Sequence, residues 1–136
     1  MVVDSSVLIA ILLAESEAEY YAKQLADADE IYISAVSIVE SSMVIEYKKG
    51  EPGAKLYDEL LNIIAPTIVA FDSQQANLAR TAWRQYGKGR HSAKLNFGDC
   101  CSYAIAKYLN KPLLFKGDDF SKTDIHFEIF STSDSG

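Results

Sequence analysis

Only 7 glycines, 3 prolines and 2 cysteines occur among the 136 residues, and each scarcity excludes something. So little Gly and Pro is incompatible with a collagen-like or low-complexity chain. The cysteines are adjacent, Cys100 and Cys101, so they cannot form the disulfide framework of a small secreted domain. They match no zinc pattern either, because structural zinc sites space their ligands about two to four residues apart. They read as small, buried, apolar side chains. His91 and His126 stand alone, and neither is assigned to a metal. No apolar run approaches the ~20 residues of a membrane span. The run at residues 7–14 has the length of a signal-peptide core, yet no basic region precedes it and Asp4 stands just before it. A reduced, cytoplasmic, soluble protein is expected. Cations are scarce as well: 13 Lys and Arg face 19 Asp and Glu, for a net charge of −6. At first sight that balance argues against a nucleic-acid ligand.

What is present suits one globular domain. With 49% hydrophobic residues the chain is unlike a disordered one. Its length can bury about two thirds of the unfolded surface. No repeat or Ser/Gly/Pro-rich linker divides it. Short apolar runs alternate with helical patterns, the signature of a parallel sheet flanked by helices. Strands are expected at 1–3, 31–33, 67–71, 112–115 and about 126–130. Helices are expected from Ser5 or Ser6 to 13, then over 17–27, 37–49, 53–65, 73–86 and 97–109, with Gly50 and Gly87 as stop signals. The domain spans 1–130 and the polar segment 131–136 is a frayed tail. The class is α/β.

Four acids occupy unusual places in this pattern. Ligands of open α/β sheets bind at the carboxyl ends of strands, and Asp4 directly follows the first strand. It could merely cap the next helix, but Ser5 and Ser6 are available for that. At 100° per residue, Val36, Val39, Met43, Val44 and Tyr47 share one helical face, and Glu40 lies within that stripe. A lone carboxylate on a core face costs several kcal/mol unless it is paired or binds a metal. Asp99 opens a helix whose buried face is expected to be Cys101, Ile105 and Tyr108. The helix dipole alone can explain an acid there. Asp118 and Asp119 follow the strand at 112–115, in what is otherwise an ordinary turn. Carboxylates gathered in one cleft repel unless cations hold them together. An oxygen-only set points to hard ions such as Mg²⁺ or Mn²⁺, and hence to phosphodiester hydrolysis.

The segments Val2-Val-Asp4-Ser-Ser-Val-Leu-Ile, Ile33-Ser-Ala-Val-Ser-Ile-Val-Glu40, Gly87-Lys-Gly-Arg-His91, Leu95-Asn-Phe-Gly-Asp-Cys100 and Leu114-Phe-Lys-Gly-Asp-Asp-Phe120 span nearly the whole chain. In this order they resemble the PIN-domain ribonucleases, specifically the VapC toxins of bacterial toxin–antitoxin pairs. The resemblance implies a three-layer α/β/α sandwich with a central parallel sheet, and an acidic cleft that binds Mg²⁺ or Mn²⁺ and cuts single-stranded RNA or RNA loops. It makes Asp4 and Asp99 the main metal ligands and Glu40 a further member of the acidic set. Asp119 is the match for the fourth acid, with Asp118 beside it, and Ser6 resembles a hydroxyl residue that supports the first Asp. It also implies a VapB-like antitoxin and a homodimer. A buried guanidinium pairs bidentately with carboxylates, so the antitoxin is expected to deliver an Arg or Lys near Asp4, Glu40 and Asp99. Tyr20, Tyr21 and Tyr47 are considered for the groove it would lie along.

Charge distribution reconciles an acidic chain with RNA. Between Asp72 and Asp99 there is no acid, while Arg80, Arg84, Lys88, Arg90 and Lys94 crowd this stretch. Arg80, Arg84 and Lys88 recur at helical spacing, as phosphate-gripping side chains would. Trp83 and Tyr86 could stack on unpaired bases, although core packing is the commoner role for Trp83. Two other functions share the acidic pattern: a Mg²⁺-binding phosphoacceptor receiver module, and a non-catalytic interaction domain. Receivers carry paired acids after the first strand, whereas Asp4 is followed by Ser5 and Glu40 lies within a helix. Acetyl-phosphate labelling separates the first, and RNA that survives incubation marks the second.

Overall fold

The computed structural model describes residues 1–117 and 120–125. The expected strand near 126–130, the tail at 131–136, and Asp118 and Asp119 lie outside the described residues. Element order is β1 (Val2–Val3), α1 (Ser5–Leu12), α2 (Ala18–Asp27), β2 (Tyr32–Ser34), α3 (Ala35–Ile64), β3 (Thr67–Val69), α4 (Ser73–Tyr86), α5 (Phe97–Leu109) and β4 (Leu113–Leu114), followed by a 3₁₀ turn at Phe120–Lys122.

The four strands form one parallel sheet in the order β3-β2-β1-β4. Val2 aligns with Tyr32 on one side and Leu113 on the other, and Ile33 aligns with Ile68. The period-two alternation of strand side chains divides the interior into two layers. Val2 and Leu113 pack with Ile105, Leu95, Tyr103 and Phe120 beneath α4 and α5. Val3, Ile33 and Leu114 pack with Leu8, Ile45 and Tyr57 beneath α1, α2 and α3. Both faces of the sheet are therefore covered, which is why its strands read as continuous apolar runs. The architecture is the expected α/β/α sandwich. Among the described residues no helix is long and apolar enough to cross a membrane.

Local chemistry sets the boundaries. Asp72 caps α4 through Gln75 N–H, and Asn96 and Asp99 form a reciprocal capping box on α5. Both helices fall where expected. In α3 the chain breaks at Gly50, with φ 64° and ψ −153°, a conformation glycine adopts without a Cβ clash. The helix resumes at once across the break. The sheet edge is shorter than expected, with β3 ending at Val69 instead of residue 71.

Two face assignments are corrected. Val39, Met43 and Tyr47 of α3 are 58%, 65% and 90% exposed, so the apolar stripe faces outward. The buried face is instead Ser37, Ser41 and Ile45. Hydroxyls fit this interior because each finds a partner: Ser41 Oγ lies 2.6 Å from the Ser37 carbonyl and 2.7 Å from Tyr57 Oη. Counting serines as polar therefore turns the helix the wrong way. On α5, Cys101 and Ile105 are buried as expected, but Tyr108 is exposed.

Candidate active site

The chain lays down β1, β2 and β3 outward in one direction, then returns to place β4 on the other side of β1. Strand order thus reverses at β1, and Asp4 stands at its carboxyl end, where open α/β sheets bind ligands. The Asp4 side chain is buried. It is itself the N-cap of α1, its Oδ2 accepting from Ser6 N–H at 3.1 Å. Capping therefore falls to Asp4 and not, as the sequence suggested, to Ser5 or Ser6. Its other oxygen accepts a 2.5 Å hydrogen bond from the buried Ser102 hydroxyl of α5.

Freed from capping, the two serines do other work. Ser5 Oγ donates to Glu40 Oε1 at 2.7 Å, tying α1 to α3. Ser6 Oγ accepts from Lys116 N–H at 2.9 Å, pinning the loop that follows β4. Ser6 thus supports Asp4 through its backbone, while its hydroxyl holds the loop that leads to Asp118 and Asp119.

Glu40 stands at the edge of the buried face of α3, half-buried, and its carboxylate lies against the backbone of Gly98. A Cβ at residue 98 would come within 2.6 Å of Glu40 Cδ, so only glycine admits the carboxylate there. Asp99 is the next residue, half-buried, its Oδ2 accepting from Asn96 N–H at 3.0 Å. The structure thereby brings Asp4, Glu40 and Asp99 to one end of the sheet, linked by Ser5, Ser102 and Gly98. Sequence reasoning missed these three connecting residues. A hydroxyl at Ser102, directly after Cys101 in an otherwise apolar run, was the available signal.

Among the described residues no Lys or Arg forms an ion pair with Asp4 or Glu40. Lys116, at the end of β4, turns instead to Glu15 at 2.5 Å and Glu17 at 3.4 Å. These contacts raise the pKa of Lys116 and, with the Ser16 hydroxyl as the larger cause, lower that of Glu17. Among the described residues no three His, Cys, Asp or Glu side chains form a ready coordination shell. Asp4 and Glu40 offer only carboxylate oxygens, and two acids with no cationic side chain paired to them among the described residues suit a hard divalent ion. Cysteine does not compete. Burial pushes the thiols of Cys100 and Cys101 up to about 11 and about 12, and a neutral thiol is a poor metal ligand or nucleophile.

Beside the acids lies the basic stretch. Arg80 and Arg84 are exposed on α4, while Lys88, Arg90 and Lys94 lie beyond its end. Hydrogen bonds from Lys88 N–H to the Leu95 carbonyl and from Leu95 N–H to the Tyr86 carbonyl, each 2.9 Å, close this loop into a ring. Lys88 is therefore a loop residue and not a continuation of the helical face. Of the two aromatic residues considered for base stacking, Trp83 is 44% exposed and so lies outside the core, whereas Tyr86 packs on Tyr103 and His91. Of the tyrosines considered for a partner groove, Tyr21 is a core residue whose hydroxyl donates to the Phe115 carbonyl at 3.2 Å, and Tyr47 is open to solvent.

A Ser102→Ala substitution is expected to lower folding stability by about 1.5–3 kcal/mol, because it removes a hydrogen bond to a buried charged acceptor. Urea unfolding measures this. A change below about 0.5 kcal/mol would mean that Asp4 finds another donor.

A parallel sheet with acids at the reversal of strand order defines a doubly wound α/β protein with its site at the switch point, and the family model for the PIN domain matches residues 1–126. The ribonuclease VapC of Mycolicibacterium smegmatis is 48% identical over 125 residues, covering 92% of this chain and 97% of that protein. Ribonuclease VapC30 of Mycobacterium tuberculosis is 48% identical over 126 residues, covering 92% and 95%. The chain belongs to the PIN-domain family, in its VapC branch. Solved structures agree in fold: VapC20 of M. tuberculosis, a Sarcin-Ricin loop cleaving toxin, has a TM-score of 0.72 at 16% identity, covering 91% of this chain and 95% of that one. VapBC2 from Rickettsia felis, bound to a DNA fragment from its promoter, has a TM-score of 0.71 at 20% identity, covering 93% and 96%.

Proposed function

We propose that this chain is a divalent-metal-dependent ribonuclease and the toxin of a toxin–antitoxin pair. The observation that carries this reading is the gathering of Asp4, Glu40 and Asp99 at the reversal of strand order, with no cationic side chain paired to Asp4 or Glu40 among the described residues. The names of the curated relatives, ribonucleases of the VapC type, support the reaction class. A toxin–antitoxin complex from Klebsiella pneumoniae among the structural neighbours supports the kind of partner.

In this reading Asp4, Asp99 and Glu40 hold Mg²⁺ or Mn²⁺, with Asp119 or Asp118 as the fourth acid. When bound, the ion supplies charge neutralisation at phosphate oxygens and lowers the pKa of water. The chain's own residues do the rest. Ser102 and Ser6 N–H fix the Asp4 carboxylate, Ser5 fixes Glu40, and the Asn96–Asp99 capping box fixes Asp99 at the start of α5. Arg80, Arg84, Lys88, Arg90 and Lys94 take RNA phosphates without reading sequence.

The partner is a small VapB-like antitoxin that presents Arg or Lys to the carboxylates, and the toxin pairs as a homodimer. The outward stripe Val39, Met43 and Tyr47 supports a protein covering, since exposed apolar patches mark interaction surfaces. The test is incubation of purified protein with total RNA. Cutting is expected with Mg²⁺ or Mn²⁺ and none with EDTA, and RNA that survives both conditions overturns the reading.

A further inference from the structure

Between α4 and α5 lies a pocket of about 530 Å³ whose lining includes Arg80, Trp83, Arg84, Phe97, Cys100 and Cys101. Two of its aromatic side chains are open to solvent, Trp83 at 44% and Phe97 at 73%. Trp83 is nevertheless held in place. The Arg90 guanidinium sits 4.2 Å from the indole centroid. Gly87 lets the ring lie along the backbone, since a Cβ there would stand 2.6 Å from indole Cδ1 and 2.8 Å from Nε1. The floor is built by the buried side chains of Cys100 and Cys101. The rim is cationic, with Arg80 and Arg84 one turn apart and no acid between Asp72 and Asp99. Phe97 and Cys100 belong to the same first turn of α5 as Asp99, so the pocket opens within one helical turn of that acid.

We propose that this pocket receives one unpaired nucleobase of the RNA, from a nucleotide adjoining the bond that is cut. An aromatic wall, a floor of small buried side chains and a guanidinium rim match the three parts of such a ligand: a flat base to stack, an apolar edge to bury, and a phosphate to pair. A paired base cannot reach the pocket without leaving its helix, so the site selects single-stranded segments and loops. The inference rests on the ribonuclease reading and adds to it where the substrate is held.

Trp83 is the chain's single tryptophan among 8 tyrosines, so fluorescence excited at the red edge of the indole band, where tyrosine does not absorb, reports on the pocket. A short single-stranded oligoribonucleotide is titrated in EDTA, against an abasic strand of the same length and charge. The base-bearing strand is expected to quench Trp83 and the abasic strand to leave it unchanged. Phe97→Ala should weaken the base-bearing strand about fivefold to 150-fold, as loss of one stacked base predicts, and leave abasic binding as it was. Phe97 is mostly exposed, so the variant keeps its fold. Equal quenching and equal affinity for the two strands, with RNA still cut in Mg²⁺, overturns the pocket and leaves the ribonuclease standing. No binding of either strand together with intact RNA in Mg²⁺ overturns both. An emission shift that follows protein concentration without RNA shows a second copy over the pocket, and also overturns it.

Discussion

Asp99→Asn is expected to lower RNA cleavage by at least about a hundredfold, because several kcal/mol of charge stabilisation is lost with the carboxylate. The variant separates charge from shape. Asp99 Oδ2 now accepts from Asn96 N–H, and an amide oxygen at the same place can do so too. Two small effects on stability then oppose each other. The negative charge at the start of α5 contributes about 0.3–1 kcal/mol through the helix dipole, and this is lost. Repulsion among neighbouring carboxylates is relieved. Urea unfolding should therefore place the variant within about 1 kcal/mol of wild type while RNA stays whole. Undiminished cutting would remove Asp99 from the reaction.

Gly98→Ala is expected to reduce cleavage more than about tenfold without touching any acid. A methyl group there overlaps the Glu40 carboxylate. Because that carboxylate is the end of a flexible side chain, it swings away at little cost to the fold and abandons its bond to Ser5. Glu40→Gln should cost a similar factor by removing charge in place. The two changes act on one group, so the double variant should lose little beyond either single one. Fully additive losses would show that Gly98 matters for some reason other than Glu40.

Much of this was legible in the chain because it is written locally. The bounds of α4 and α5 follow from Asp72, Gly87 and Asn96, each a residue whose own chemistry starts or stops a helix. Asp4 and Asp99 were visible from their places at a strand end and a helix start. Glu40 was singled out from an apolar stripe that in fact faces outward, whereas it stands at the edge of the opposite, buried face. How the three acids meet was not visible, because the contacts run between elements far apart in sequence: Ser102 to Asp4, Ser5 to Glu40, Glu40 to Gly98. The outward turn of Val39 and Met43 was hidden for a related reason. Serines that hydrogen-bond inside the fold occupy positions that a hydropathy pattern assigns to solvent. Trp83 was weighed both as a base-stacking residue and as a core residue, a choice that depends on Gly87 and Arg90, which hold it at the surface.

The most direct measurement is calorimetric titration of Mn²⁺ into protein stripped with EDTA and dialysed, for wild type, Glu40→Gln and Asp99→Asn. Saturable binding is expected in the wild type, weakened at least about tenfold in each variant as a charged ligand is lost. No binding to the wild type, or the same affinity in all three proteins, would contradict a cation site built from these carboxylates.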